Sequence, residues 1–310
     1  MADLFAVAGA GVVTAPPRTP PPGPPPEHFP APWASDWGED PWGFWQAFAY
    51  RGVRQGFRWI PPTPEPFLMG SPQGEHDRFH DERQHDVMLT RGYWLAETAC
   101  TQALWQAVMG ENPSRFRGER RPVETVCWED AQRFCERLNA EAVGPKHDLQ
   151  PDLEPARFRL PTEAEWEYAC RAGTTTPFSF GEDITPEQAN YDGNYPYRGG
   201  KTGLFRGETV EVASLPANPW GLYEMHGNIW EWCRDYDGYP ASPETGGERV
   251  LRGGGWIDGA RRLRSAFRYG SAPGDRDDDF GFRLALGPEP GQARQAGQER
   301  GRTDRARSER

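Results

Sequence analysis

Thirty-six glycines and thirty-two prolines run through the 310 residues, and they limit the fold more than any other property of the chain. Both residues interrupt regular structure, glycine through its backbone freedom and proline through its missing N–H. Few stretches escape them for long, so short elements joined by many loops are predicted. Thirteen tryptophans supply core material despite this, because each large ring buries much apolar area. The fold class that follows is α+β, loop-rich, with little regular secondary structure.

The formal net charge of −11 argues against a nucleic-acid-binding surface. The cysteines, Cys100, Cys127, Cys135, Cys170 and Cys233, are odd in number and contain no Cys-x-x-Cys pair. With no secretion signal, they point to reduced thiols in a cytoplasmic protein. No apolar run is long enough to span a membrane.

Along the chain, residues 1–14 form a short apolar segment, read either as a peptide that docks on a partner or as a plain tail. Residues 15–32 are a Pro-rich polyproline-II linker. Residues 33–56 carry Trp33, Trp37, Trp42 and Trp45 and pack on the main domain; the spacing of Trp42, Trp45 and Phe48 predicts a short helix. The main domain spans 57–286. Its charged loop over 73–86 holds His76 and His80 at i, i+4, read as a solvated loop or as a metal pair. A strand is predicted over 87–95. Thr101 caps a predicted helix over 102–109 that Gly110 ends. A second helix starts near Trp128, with Ala131, Phe134, Cys135 and Leu138 on one apolar stripe. Cys127, at its N-cap, is either a buried structural thiol or an activated one. Residues 144–156 are a loop. Thr162 and Glu165 form a capping box, so a third helix begins there. The Arg-rich tail 287–310 is predicted to be disordered.

Leu68-Met69-Gly70-Ser71, Arg159–Tyr168, Gly221–Trp232, Arg252-Gly253-Gly254 and Gly281-Phe282-Arg283 occur in this order. In these motifs the chain resembles the formylglycine-generating enzyme (sulfatase-modifying factor) superfamily, from about Phe57 to Leu286. The resemblance implies a C-type lectin fold of the formylglycine-generating enzyme type. In the catalytic members two cysteines after Arg-Gly-Gly bind copper(I), a soft ion that needs thiolates. Those positions are Asp258 and Leu263 here, and a nearby family serine is Gly255, so the resemblance does not carry the oxidase chemistry over. The resemblance further implies a structural Ca2+ site at Asn228 and Glu231; a second family site, at Asn190, lacks its acidic partner near Gly203. No cofactor is required.

The segment 249–284 resembles one branch more closely, the variable proteins of diversity-generating retroelements. Their fixed frame is met by Arg249-Val250-Leu251-Arg252-Gly253-Gly254, Trp256, Arg264-Ser265-Ala266, Arg268, Pro273, Arg276 and Gly281–Leu284. It departs at Gly255, where serine is usual. Adenine-randomised codons of that branch exclude Lys, Glu, Gln, Met and Trp, and none of these occurs from Ile257 to Arg283. The ligand-binding face so implied comprises Ile257, Asp258, Gly259, Arg262, Leu263, Phe267, Tyr269, Gly270, Ser271, Ala272, Gly274, Asp275, Asp277, Asp278, Asp279 and Phe280. Phe267, Tyr269 and Phe280 would anchor an unidentified protein ligand, unless Phe267 and Phe280 belong to the core. The aspartates would form an acidic rim, solvated or arranged as a calcium loop. Arg252, Arg264, Arg268 and Arg276 would hold the frame. The expected function is non-catalytic protein binding by the 257–280 face. The alternative is a formylglycine-generating-like oxidoreductase with a non-standard site.

Overall fold

The fold begins with a hairpin whose turn the sequence dictates. Strands β1 (Asp36–Asp40), β2 (Gly43–Tyr50) and β3 (Val53–Ile60) run antiparallel in succession. Tyr50 pairs directly with Val53, so Arg51 and Gly52 form a two-residue loop, both with positive φ (46° and 84°). That is the turn whose twist matches paired strands. The description is of a computed structural model and covers residues 16–143, 157–236, 247–287 and 294–295. The expected apolar segment 1–14 and the loop 144–156 lie outside the described residues.

The remaining strands are β4 (Phe67–Met69), β5 (His85–Met88), β6 (Tyr93–Ala96), β7 (Arg157–Arg159), β8 (Trp230–Tyr236), β9 (Arg249–Arg252), β10 (Arg268–Ser271), β11 (Phe280–Gly281), β12 (Ala285–Gly287) and β13 (Arg294–Gln295). The helices are α1 (Gln102–Met109), α2 (Trp128–Leu138) and α3 (Glu163–Arg171). A six-stranded sheet has the order β1-β2-β3-β6-β12-β7, a four-stranded sheet β10-β9-β8-β11, and a small third sheet β13-β5-β4.

The helices follow their local signals. Thr101 Oγ1 accepts the Leu104 N–H, and Gly110, in the left-handed region, closes α1. Thr162 and Glu165 make the reciprocal capping bonds of α3. Cys127 is the N-cap of α2, and all five cysteines are buried and unpaired. Burial raises the Cys127 thiol above its ordinary range, which removes the reading of an activated nucleophile.

Four expectations are corrected. Trp42, Trp45 and Phe48 belong to a β-hairpin, not a helix, because β2 is clamped between β1 and β3 and long-range pairing overrides the spacing. The 87–95 strand is two elements, β5 and β6, in different sheets. The proline-rich stretch is not a free linker: Phe29 packs against Phe44 and Trp94, Arg18 lies over the Trp42 ring, and Pro24 O accepts the Trp59 indole N–H. Beyond Gly287, where a disordered tail is predicted, Arg294–Gln295 pairs with β5.

A main core fills the space between the large sheet and α1 and α2, with Phe57, Leu104, Trp105, Phe134, Phe158, Trp232, Phe282 and Leu284. A second cluster surrounds Trp166 of α3 and Trp220. A third, of Phe178, Tyr191, Tyr197, Ala260 and Leu263, lies under the turn that follows β9. Among the described residues no helix is long and apolar enough to cross a membrane.

Candidate functional site

The segment 249–284 is fixed from below by arginines. Arg252 is fully buried; it donates to Ser265 O at 2.8 Å and pairs with Glu167. Arg264, equally buried, bonds Glu75 at 2.6 Å and both oxygens of Glu82 at 2.7 and 2.6 Å. Arg268 makes two 2.8 Å bonds to Glu163, and Arg276 reaches Asp130 at 2.6 Å. Each guanidinium thus meets a carboxylate from elsewhere in the chain, often in the two-pronged geometry that fixes orientation. Buried charges of this kind need such partners.

Between these anchors the candidate face divides in three. Ile257, Tyr269, Ala272, Gly274, Asp275 and Asp277 are exposed. Gly259, Arg262, Gly270 and Asp278 are half-buried. Asp258, Leu263, Phe267, Ser271, Asp279 and Phe280 are buried. Phe267 and Phe280 belong to the main core and Leu263 to the third cluster, so these side chains support the face from beneath. Tyr269 keeps its outward position, with its ring beside Trp230 and Phe280. Ser271 and Asp275 tie a turn: the Ser271 hydroxyl and the Ala272 amide both donate to Asp275 Oδ2.

The acidic residues are not one solvated rim. Asp258 Oδ2 accepts the Gly255 amide at 2.9 Å and Oδ1 meets Arg262 at 2.7 Å. Asp278 pairs with Arg115. Asp277 accepts the Asp278 amide. Asp279 is 4% exposed, and burial, reinforced by Asp258, Asp277 and Asp278, pushes its carboxyl up to about 8. It fits there because residue 255 is glycine: a β-carbon at that position would meet Asp279 Oδ2 at 2.0 Å.

Side chains from outside residues 257–280 adjoin the face. Trp256 stacks on Phe205 and meets Phe116 edge-on, and its indole donates to Asp278 O. The Tyr195 carbonyl accepts the Ala260 amide, and the Tyr195 side chain is 66% exposed. Leu204 and Phe205 are exposed as well. The sequence reading passed over Tyr195, Leu204 and Phe205; their one signal is the cluster of large apolar side chains in a Gly-rich loop.

Asn228 and Glu231 do not converge on an ion. Both Glu231 oxygens are taken, Oε1 by Arg283 and Oε2 by Arg283 and the Trp166 indole, and Asn228 Oδ1 accepts from Asn190 and the Val210 amide. This donor set is saturated by protein groups and does not fit a calcium site. Asn190 Oδ1 is buried without a partner; among the described residues the one three-member His, Cys or carboxylate group that converges is Asp277–Asp279. His76 and His80 lie in turns, not on a helix.

The sequence pattern of the Sulfatase-modifying factor enzyme 1-like domain matches residues 62–287. The chain belongs to this family. It is 30% identical to the formylglycine-generating enzyme of Mus musculus over 218 residues, 65% of this chain and 53% of that one. It is 32% identical to the inactive C-alpha-formylglycine-generating enzyme 2 of Bos taurus over 202 residues, 63% and 59% of the two chains. The chain therefore spans a little over half the length of these relatives. Among solved structures, Treponema denticola variable protein 1 superposes with a TM-score of 0.64 at 29% identity, covering 79% of this chain and 99% of that one. The fold is α+β, the C-type lectin fold of the formylglycine-generating type, and the chain resembles both the enzyme family and a variable protein.

Proposed function

We propose that this protein binds a protein ligand, without catalysis, through the exposed residues of its 257–280 face, and that this face is the target of a diversity-generating retroelement. One observation carries the reading: Arg252 and Arg264, fully buried on carboxylates from elsewhere in the chain, alternate with the exposed side chains of Ile257, Tyr269 and Ala272. Such decoupling lets a surface change its chemistry without risk to folding. The likeness to Treponema denticola variable protein 1 supports it. So do the positions where the family resemblance puts copper thiolates, since Asp258 is tied to a backbone amide and an arginine, and Leu263 is core.

The deciding test is genomic. A near-identical, adenine-rich copy of codons 249–284 beside a reverse-transcriptase gene is expected. Absence of that copy, with positions 257–280 constant among close relatives, overturns the retroelement origin. Stoichiometric copper binding with oxygen consumption would overturn the non-catalytic reading.

A further inference from the structure

We propose that Tyr195, Leu204 and Phe205 of the loop 193–207 form one docking surface with Ile257 at the edge of the 257–280 face, and that this surface receives an uncharged, apolar segment of a protein partner. The proposal rests on the protein-binding reading of that face and extends its site to residues outside 249–284.

Exposure comes first. Eight large hydrophobic side chains are exposed among the described residues, and four of them, Tyr195, Leu204, Phe205 and Ile257, gather in this one place. Single exposed apolar side chains are ordinary, whereas a contiguous group marks an interaction site. The contacts establish contiguity. Phe205 stacks on Trp256, the neighbour of Ile257, with ring centroids 6.0 Å apart. A β-carbon at Gly259 would meet Tyr195 Cβ at 2.8 Å, so Tyr195 stands directly against the turn that follows Ile257.

The backbone beneath these side chains is pinned. The Asp192 amide donates to Asp258 O at 2.9 Å and the Ala260 amide to Tyr195 O at 3.0 Å. The Gly203 amide closes the loop on Gly193 O at 2.8 Å, where a β-carbon on Gly193 would meet Leu204 O at 2.5 Å. Anchors presented from a fixed backbone leave less to be ordered on binding.

Charge identifies the partner. The ions that border the surface are matched within the chain: Arg198 with Glu182, Arg262 with Asp258 and Arg115 with Asp278. Arg206 lies in the field of Glu187. Lys201 and Asp192, one of each sign, stay outside ion pairs among the described residues. A balanced border offers no field to select a polyanion or a basic peptide, and its complement is an apolar surface of low charge.

The test pans a phage-displayed library of random peptides, about twelve residues long, on the full chain, and titrates the enriched peptide, synthesised with a fluorescein label, by anisotropy. Enriched sequences are expected to be rich in Leu, Phe, Tyr and Trp with little net charge. Tyr195→Ser, Leu204→Ser and Ile257→Ser should each weaken the peptide by about tenfold or more. Lys201→Glu, and a rise in NaCl from about 0.05 to about 0.5 M, should change its Kd by less than about threefold. The three serine variants replace side chains that are more than half exposed, and unchanged thermal melts check that they fold. Affinity lost in Ile257→Ser and Tyr269→Ser but kept in Tyr195→Ser and Leu204→Ser overturns the proposal and leaves the 257–280 reading standing. Affinity that responds to the loop variants alone overturns both. No enriched peptide, or enriched peptides that are strongly charged and salt-sensitive, overturns the proposal.

Discussion

The carboxylate of Asp279 occupies the volume that a side chain at residue 255 would take, with Oδ2, Cγ and Cβ at 2.0, 2.7 and 2.9 Å from where a β-carbon would stand. The departure from the family's serine at 255 and the buried acid at 279 are therefore one feature. Gly255→Ser is expected to cost about 1–3 kcal/mol by overpacking. The cost should shrink in an Asp279→Ala background, which a double-mutant cycle by urea denaturation in calcium-free buffer measures. Equal costs in both backgrounds would refute the coupling.

The frame arginines should be indispensable to the fold. Arg264 holds both oxygens of Glu82 in a fully buried pair. Arg264→Met leaves Glu82 charged and enclosed, so a loss of about 3–5 kcal/mol is expected. Equilibrium denaturation of the variant checks this.

The exposed positions should behave oppositely. Ile257→Tyr, Ala272→Tyr and Gly274→Asn face solvent, and nothing lies within 4 Å of a β-carbon at Gly274. Each should change stability by no more than about 0.5 kcal/mol. Leu263→Ala, in the same segment, should cost about 2–5 kcal/mol. A thermal melt of the four variants separates the classes, and equal losses would contradict a decoupled face.

His226 sets an acid limit on the fold. Its ring is buried, Nδ1 bonds Leu263 O at 2.7 Å, and Nε2 accepts the Ser179 amide at 3.1 Å. Burial foremost lowers its pKa to about 4. The unfolded chain binds a proton near pH 6.5 that the folded chain refuses. The neutral ring therefore contributes stability that is fully present above pH 6.5 and is lost as pH falls to about 4, by roughly 3 kcal/mol in all. His226→Gln should flatten the stability profile in this window; an unchanged slope would assign it to other groups.

Local chemistry was legible in the sequence. Thr101, Gly110 and the Thr162–Glu165 box each act within one helical turn, so residues four apart sufficed to place α1 and α3. Long-range pairing was not legible. Trp45 lies in a strand because Gly38 and Arg58 flank it, and nothing near it in the chain says so. In the candidate site, the arginine frame could be read from its motifs, but for the run Asp275–Asp279 a solvated rim and a calcium loop both stayed open, with nothing to set Asp279 apart. Asp279 departs from its neighbours because its carbonyl accepts the Trp230 amide just before β11 enters the sheet. That drags its side chain inward.

The placement of β12 has a consequence for how this protein is made. Ala285 pairs with Leu95 on one side and Arg159 on the other, so a strand from beyond residues 257–284 fills an interior slot of the large sheet. A stop codon or frameshift anywhere in 257–284 removes that strand and leaves two inner edges open to solvent. Edges of this kind are unstable and invite aggregation. Only a chain translated in frame through residues 257–284 can therefore close its large sheet.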